Sequence, residues 1–219
     1  MSEVTINRSP VTRGTVYLPA RGVWVADLDV DTETAPAGRV ALAFDDVTLS
    51  GTVVTGDMTH GLWRGRIVGG AGGLRAMLPA RAYRAARLAD VLADALSEAG
   101  EALAAGSDAL DIVTARWHRT AGPAHDTVRG VADAAGLTWR VTLAGAVWIG
   151  AETWPDASPD VDLVDRDPRA WRYTLSGDVA LVTPGLLLSI RDESGDTFLR
   201  TGAVRWEIDG RTVTAVVYA

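Results

Sequence analysis

The 219-residue sequence contains neither cysteine nor lysine. The absence of cysteine excludes disulfides, zinc–thiolate sites and thiol nucleophiles. The absence of lysine excludes a P-loop, so the glycine-rich run from Gly69 to Gly73 is interpreted as a flexible or close-packed connection. No apolar run approaches the roughly 20 residues that a membrane-spanning helix needs. The polar start, from Met1 to Val4, does not fit a plain secretory signal peptide.

The sequence also has fewer basic than acidic residues. Acidic residues outnumber basic ones by 28 to 21, which gives a net charge of −7. All the basic residues are Arg, and they are interleaved with Asp and Glu, so no basic stripe forms. Tight nucleic-acid binding through phosphate neutralisation is therefore not expected. An acidic chain would instead let DNA pass without holding it.

The middle of the chain, from Tyr83 to Gly150, carries the clearest periodic pattern. Apolar residues recur at helical spacing, which predicts an amphipathic helix from Tyr83 to Ala99 that Gly100 ends. The apolar positions are Leu88, Val91, Leu92, Ala95, Leu96 and Ala99. The polar positions on the other side are Arg84, Arg87, Asp90, Asp94, Glu98 and Glu101.

Three further elements complete this middle stretch. A strand is predicted from Asp111 to Arg119, and Gly122-Pro123 predicts the start of a second helix that ends at Gly136. An alternating pattern from Leu137 to Ile149, with a turn at Ala144-Gly145, predicts a hairpin. The order is helix, strand, helix, hairpin, and the first helix is expected to pack on the strands of Trp117 and Trp139.

Both flanks of this stretch predict short strands. Residues 4–79 alternate with regular turn signals, and strands are predicted again from Trp171 to Leu175, Val179 to Val182 and Leu186 to Ile190. Val204, Trp206 and Ile208 share one face before a type I′ turn at Asp209-Gly210. We therefore predict an α+β protein, in which two small β-barrel-like units flank a helix-strand-helix-hairpin insertion. The predicted boundaries are 1–80, 81–150 and 151–219.

The sequence offers few candidates for catalysis or metal binding. His60, His118 and His125 do not have a metal-ligand spacing. Glu98 and Glu101 lie one helical turn apart and could flank a glycosidic bond, but helix solvation explains them more simply. The acidic stretch from Asp156 to Asp167 could bind calcium, although it departs from the EF-hand pattern and its prolines favour a solvated linker. No catalytic, cofactor-binding or metal site is predicted.

Eight tryptophans are present, and they could form aromatic platforms for sugars or bases. Most of them occupy inward-alternating strand positions, where they would fill a core or an interface. Trp63 and Trp154 are flanked by turn residues and are predicted to be the exposed pair.

The sequence resembles the baseplate hub, or late-control, proteins of phage tails, which are relatives of the type VI secretion spike protein. The resemblance rests on patterns over about the last two thirds of the chain. They are Arg87 to Gly100, Trp117 before a turn and helix, Val131-Ala132 with Gly136 to Arg140, Val147 to Gly150, Leu181 to Gly185 and Val204 to Trp206.

The resemblance implies a structural, non-enzymatic protein of the virion that is assembled in the bacterial cytoplasm. It implies a homotrimeric ring between the tail tube and the spike or tip, with a tape-measure protein nearby. DNA would pass through this ring without specific binding. Two alternatives remain: a carbohydrate-binding or wall-degrading accessory protein, and a distal tail adaptor of sixfold symmetry.

The interface of such a ring is predicted at the C-terminal strand and at the two exposed tryptophans. The chain ends within a strand, whose backbone groups would need a neighbouring strand or water. The predicted interface residues are Val213, Val216, Val217, Tyr218, Trp63 and Trp154.

Overall fold

The structure is a computed structural model, which describes residues 3–192 and 195–219. Its main feature is a ten-stranded antiparallel sheet in the order β1-β4-β5-β6-β3-β2-β18-β19-β15-β14. The first six of these strands close into a barrel, because β1 pairs with β4 on one side and with β2 on the other. They are β1 (Val4–Ile6), β2 (Ser9–Leu18), β3 (Val25–Asp31), β4 (Arg39–Phe44), β5 (Val47–Thr59) and β6 (Leu62–Gly69).

The barrel follows from strict alternation along its strands. On β3, Ala26, Leu28 and Val30 are buried, whereas the aspartates between them face outward. Successive side chains of a strand point to opposite faces, so this spacing puts an apolar face inside and a polar face outside. Trp24 and Trp63 fill much of the interior.

The middle of the chain is packed beside the barrel. Its elements, including a 3₁₀ helix at Gly73–Arg75, follow in chain order. They are β7 (Met77–Leu78), β8 (Arg81–Arg87), α1 (Leu88–Ala99), β9 (Val113–Arg119), β10 (Gly122–Pro123), α2 (Ala124–Ala135), β11 (Thr138–Val141) and β12 (Val147–Gly150). β8 pairs with β9, β7 with β10, and β11 with β12. No helix among the described residues is both long and apolar enough to cross a membrane.

Both predicted helices are confirmed, with a correction at the start of the first. α1 begins at Leu88 instead of Tyr83, because residues 81–87 form a strand that pairs with β9. Its apolar stripe is buried, and Gly100 ends it in the left-handed conformation with a φ of 68°. The stripe packs mainly on α2, whereas a sheet containing Trp117 and Trp139 was expected.

The C-terminal part adds four strands to the ten-stranded sheet and forms a smaller sheet of its own. Its strands are β13 (Asp156–Ala157), β14 (Val161–Asp167), β15 (Arg172–Gly177), β16 (Leu187–Asp192), β17 (Gly195–Arg200), β18 (Ala203–Asp209) and β19 (Thr212–Tyr218). Strands β13, β16 and β17 make up the separate sheet. β18 pairs with β2 of the barrel, so one sheet runs from the first β unit into the last.

Several predictions for this part need correction. Only the first β unit closes into a barrel through hydrogen bonds among the described residues, and β14 ends the large sheet. Residues 179–181 form a 3₁₀ helix instead of a strand. In the last hairpin Asp209 pairs with Thr212, so the turn residues are Gly210 and Arg211. The acidic stretch is largely strand β14 instead of a solvated linker, because its backbone pairs with β15.

Candidate interaction surface

A broad groove of about 910 Å³ crosses the outer face of the large sheet. It lies where β5, β6, β3, β2, β18 and β19 run side by side. The residues facing inward on these strands are buried in the hydrophobic core, so the alternate residues face this groove. The alternation of inward-facing and outward-facing residues along the strands is therefore sufficient to produce the polar lining of the groove.

One row of directly opposed residues in the groove alternates in charge across five strands. In order from β18 to β5 it consists of Asp209, Arg13, Asp29, Arg64 and Asp57. Arg64 donates two hydrogen bonds to Asp29, from Nε at 2.7 Å and from Nη2 at 2.8 Å. Opposite charges on facing residues stabilise a sheet. The Arg64–Asp29 pair is therefore part of the scaffold.

A parallel row lies one step further along the same strands. It runs through Glu207, Thr15, Asp27, Arg66 and Thr55. Arg66 donates to Asp27 from Nε at 2.7 Å and from Nη2 at 2.9 Å. This forked geometry is the preferred one between a guanidinium and a carboxylate.

The electrostatics of the groove are acidic overall. Its lining contains three arginines and five carboxylates, a formal net charge of −2. The hydrogen bonds from Arg64 lower the pKa of Asp29, and Asp29 in turn raises the pKa of the Arg64 guanidinium. Both groups are therefore ionised at neutral pH. A groove with this charge does not attract a polyanion such as DNA.

Trp63 lies beneath this groove instead of on the surface, which contradicts its predicted exposure. Its side chain is only 1% exposed. Gly65, which suggested a turn next to Trp63, lies within the same strand, β6. Gly65 and Gly56 of the paired strand β5 have no side chains, and this leaves room for the indole ring. A Cβ at Gly65 would lie 2.1 Å from this ring, and one at Gly56 would lie 2.4 Å from its Nε1.

The other predicted exposed tryptophan, Trp154, is half-buried. The guanidinium of Arg200 lies 5.5 Å from the centre of its ring, which is a cation–π contact. Trp171, at the β14–β15 turn, is the tryptophan that the structure exposes most clearly among those described, at 63%. Trp63 and Trp154 are thus not brought together into one surface.

The predicted C-terminal interface residues lie on β19, inside the large sheet. β19 pairs with β18 on one edge and with β15 on the other, so its backbone needs no strand from another chain. The argument for an interface from an unpaired last strand is therefore wrong. Val213, Val216 and Val217 are buried and Tyr218 is half-buried, so contacts of these residues with another chain stay a prediction.

Glu101 is a buried residue that the sequence placed on the polar side of the helix. After the left-handed Gly100, the backbone N–H of Glu101 donates to Leu96 at 2.9 Å, which closes a Schellman turn. This turn directs the Glu101 carboxylate into the glycine-rich loop. There it accepts hydrogen bonds from the backbone N–H groups of Ala71 at 3.0 Å and Gly73 at 2.8 Å. The loop is a close-packed connection.

The other residues considered for catalysis or metal binding either form structural contacts or lie far from one another. Glu98 forms ion pairs with Arg81 at 2.9 Å and Arg119 at 2.8 Å, so it does not form a free carboxylate pair with Glu101. His125 Nδ1 lies 3.1 Å from the carbonyl oxygen of Leu74. Among residues 3–190 and 197–219, whose side chains the structure describes, no three His, Asp or Glu side chains converge closely enough to hold a metal ion.

The charged rows were not predicted, although the sequence carries a signal for them. Asp27 and Asp29 are two residues apart on one strand, and Arg64 and Arg66 are two apart on another. Spacing by two puts both members of each pair on one face of a strand. Only the pairing of β3 with β6 shows that the two pairs meet.

Comparison with solved structures shows which proteins share this fold. A 43 kDa tail protein of prophage MuSo2 from Shewanella oneidensis superposes with a TM-score of 0.72 at 10% identity, over 99% of this chain and 97% of that one. A tail protein from Neisseria meningitidis MC58 gives 0.71 at 12% identity, over 98% and 95%. Comparisons with protein-family models and with curated proteins give no match.

A third solved structure links the same fold to secretion. The E. coli c3393 protein, a component of the type VI secretion system with structural similarity to the T4 bacteriophage tail proteins gp27 and gp5, gives a TM-score of 0.72 at 10% identity. It matches over 98% of this chain and 75% of that one. The resemblance to tail and type VI secretion proteins is thus confirmed at the level of the fold.

Proposed function

We propose that this protein is a structural component of a phage tail or a tail-like injection machine. The observation that carries the proposal is the shared fold with the MuSo2 tail protein, which extends over nearly the whole length of both chains. A match of this extent leaves little of this chain outside the common architecture. Because a fold alone does not define a function, the proposal also rests on what the surface offers.

More specifically, we propose a baseplate hub in which three copies form a ring between the tail tube and the tip or spike. The parts 1–80 and 151–219 would alternate around the ring, with 81–150 packed outside. The continuous sheet through β2 and β18 supports this arrangement, since it holds the two β parts of one chain in a fixed orientation. The tail tube, spike and tape-measure proteins would be the neighbours in the virion, after assembly in the bacterial cytoplasm.

The charge of the protein supports passage of DNA without binding. The chain carries −7 overall, and the large groove on the outer face carries −2. A surface of this sign neutralises no phosphates and so releases no counterions from the DNA, which means that it does not retain DNA. We propose no enzymatic activity, because Glu98 and Glu101 are both committed to structural hydrogen bonds.

The carbohydrate-binding alternative is weakened by the burial of Trp63. It predicts that the isolated chain binds a wall polysaccharide and that Trp154→Ala abolishes the binding. The sixfold adaptor is the nearer rival, because it would use a similar tail location. Copy number separates the two tail roles.

The test is to mix the purified chain with tail tubes and to determine the ring stoichiometry by native mass spectrometry and electron microscopy. The hub proposal expects three copies per ring at a tube end. Six copies would favour the adaptor. A stable monomer that never joins a tube would overturn both tail roles.

A further inference from the structure

Two arginines face each other on the ribbon formed by β8 and β9. Arg84 and Arg116 are direct cross-strand partners, and both side chains are exposed. Like charges at directly opposed positions destabilise a sheet. In a chain with more acidic than basic residues, a pair of this kind is unusual enough to need an explanation.

The other arginines of the ribbon show what these two lack. Arg81 pairs with Asp94 at 2.8 Å, Arg87 with Asp90 at 3.4 Å, and Arg119 with Glu98 at 2.8 Å. By contrast, the guanidinium groups of Arg84 and Arg116 make no hydrogen bond or ion pair with any described residue. The ribbon therefore presents two uncompensated positive charges.

The same ribbon also presents apolar surface and free backbone. Val113, opposite Arg87, is 63% exposed. Within the described part of the chain, β8 and β9 pair only with each other, so each keeps one unpaired edge. We call Arg84, Arg116 and Val113 the ribbon surface. Exposed strand edges beside apolar residues are ready sites for pairing with another chain.

A complementary surface lies on the β14–β15 hairpin, which ends the large sheet. Asp162 on β14 is exposed and has no ion pair with a described residue. Val164 and Trp171 on the same hairpin are 61% and 63% exposed. β14 pairs only with β15, so its outer edge has no strand partner among the described residues, although β16 lies nearby. We call Asp162, Val164 and Trp171 the hairpin surface.

We propose that the ribbon surface of one copy docks on the hairpin surface of the next copy. The positive pair meets the carboxylate of Asp162, Val113 meets the exposed valine and tryptophan, and the free strand edges lie alongside each other. Because two different surfaces of each chain are joined, the contact is heterologous, and it generates a closed ring when the rotation between copies closes. The inference therefore rests on the ring proposed above, and it adds a contact between neighbouring copies on the outer side of that ring, where residues 81–150 are placed.

A second copy fits the ribbon surface better than a nucleic acid does. Two arginines neutralise only two phosphates, and the rest of the chain is acidic, which opposes DNA binding. A protein surface also accounts for the exposed Val113, which a phosphate backbone would leave in water. The test below treats nucleic-acid binding as an opposing outcome.

The test compares three charge variants of the full chain by sedimentation velocity and native mass spectrometry at low and high salt. Arg84→Glu/Arg116→Glu should weaken self-association at least about tenfold, as expected when opposed charges become like charges. Arg39→Glu/Arg211→Glu makes the same change in net charge at two exposed arginines elsewhere, and it should leave association unchanged. Adding Asp162→Arg to the first variant should restore part of the loss.

The rescue separates a direct contact from a folding defect, since a misfolded variant would not be restored by a change at Asp162. High salt should weaken association of the wild type, because exposed charges are screened. Wild-type-like association of Arg84→Glu/Arg116→Glu would overturn the inference while leaving a trimeric ring intact. A wild type that stays monomeric, alone and on tail tubes, would overturn the inference and the ring together. Loss of DNA binding with unchanged self-association would overturn it in favour of a nucleic acid.

Discussion

Replacing Glu101 is expected to destabilise the link between α1 and the glycine-rich loop. In Glu101→Ala the backbone N–H groups of Ala71 and Gly73 lose their acceptor. A fully buried donor without a partner costs about 1–3 kcal/mol, so for these two part-buried donors about 6 kcal/mol is an upper bound. Removing the carboxylate also removes its own desolvation cost. We therefore expect the free energy of unfolding to fall by about 2–4 kcal/mol.

Glu101→Gln gives an intermediate case that tests the geometry. Its amide keeps one acceptor oxygen but turns an NH₂ group towards the second donor, so we expect about half the loss. Guanidinium chloride unfolding at constant m-value measures the change, and amide hydrogen exchange at Ala71 and Gly73 localises it. Glu33→Ala is a suitable control, because Glu33 is exposed in a loop of the barrel.

The reasoning would be refuted by a Glu101→Ala variant within about 0.5 kcal/mol of the wild type, the range of neutral surface changes. Unchanged hydrogen exchange at both amides would refute it as well. Either result would mean that the loop is held by packing alone. The close approach of Gly73 to Ala99 would then be its main constraint, since a Cβ at Gly73 would lie 1.7 Å from the Ala99 carbonyl oxygen.

Three further predictions concern other parts of the molecule. Leu92→Ala should reduce the free energy of unfolding by about 2–5 kcal/mol, because Leu92 is 1% exposed on α1; a loss under about 0.5 kcal/mol would contradict its burial. Gly65→Ala should cost about 1–3 kcal/mol by overpacking against Trp63 and should alter the near-UV circular dichroism; an unchanged spectrum and stability would contradict this packing. Asp29→Asn should be less stable than the wild type at pH 7. Arg64 lowers the pKa of Asp29 in the folded state, so its contribution is present above the unfolded pKa of about 3.9 and is lost as pH falls through the lower folded value. Urea unfolding across this pH range should show the difference shrinking in acid, and a constant difference would contradict the ion pair.

The predictions from sequence succeeded where the signal is local. The helix ends at Gly100 and Gly136 were predicted correctly, because both positions need a left-handed conformation that glycine adopts most easily. The start of α1 was not, since residues 81–87 alternate weakly and form a strand only through pairing with β9. The periodicity of apolar residues alone cannot distinguish an extension of the helix from a strand that forms only by pairing with a distant strand.

Exposure was the least predictable property of the interface candidates. Trp63 and Trp154 have similar turn residues beside them, yet Trp63 is buried because its ring packs over Gly65 of its own strand and Gly56 of the paired strand. Val213 to Tyr218 follow a clear strand pattern, but the pattern does not tell which strands lie on either side. Unpaired edges lie elsewhere among the described residues, for example on β14 and on the β8–β9 ribbon.

The sequence by itself determined the absence of thiol chemistry, the acidic balance, the two helices and the strand-rich flanks, since each of these depends on composition or on neighbours within a few residues. Only the tertiary structure decided that the first six strands close into a barrel and that β18 joins β2. It also decided that Glu101 enters the glycine loop, and that Arg84 faces Arg116 without a partner. These features depend on contacts between residues far apart in the chain, whose register is fixed by the burial of one face of every strand at once.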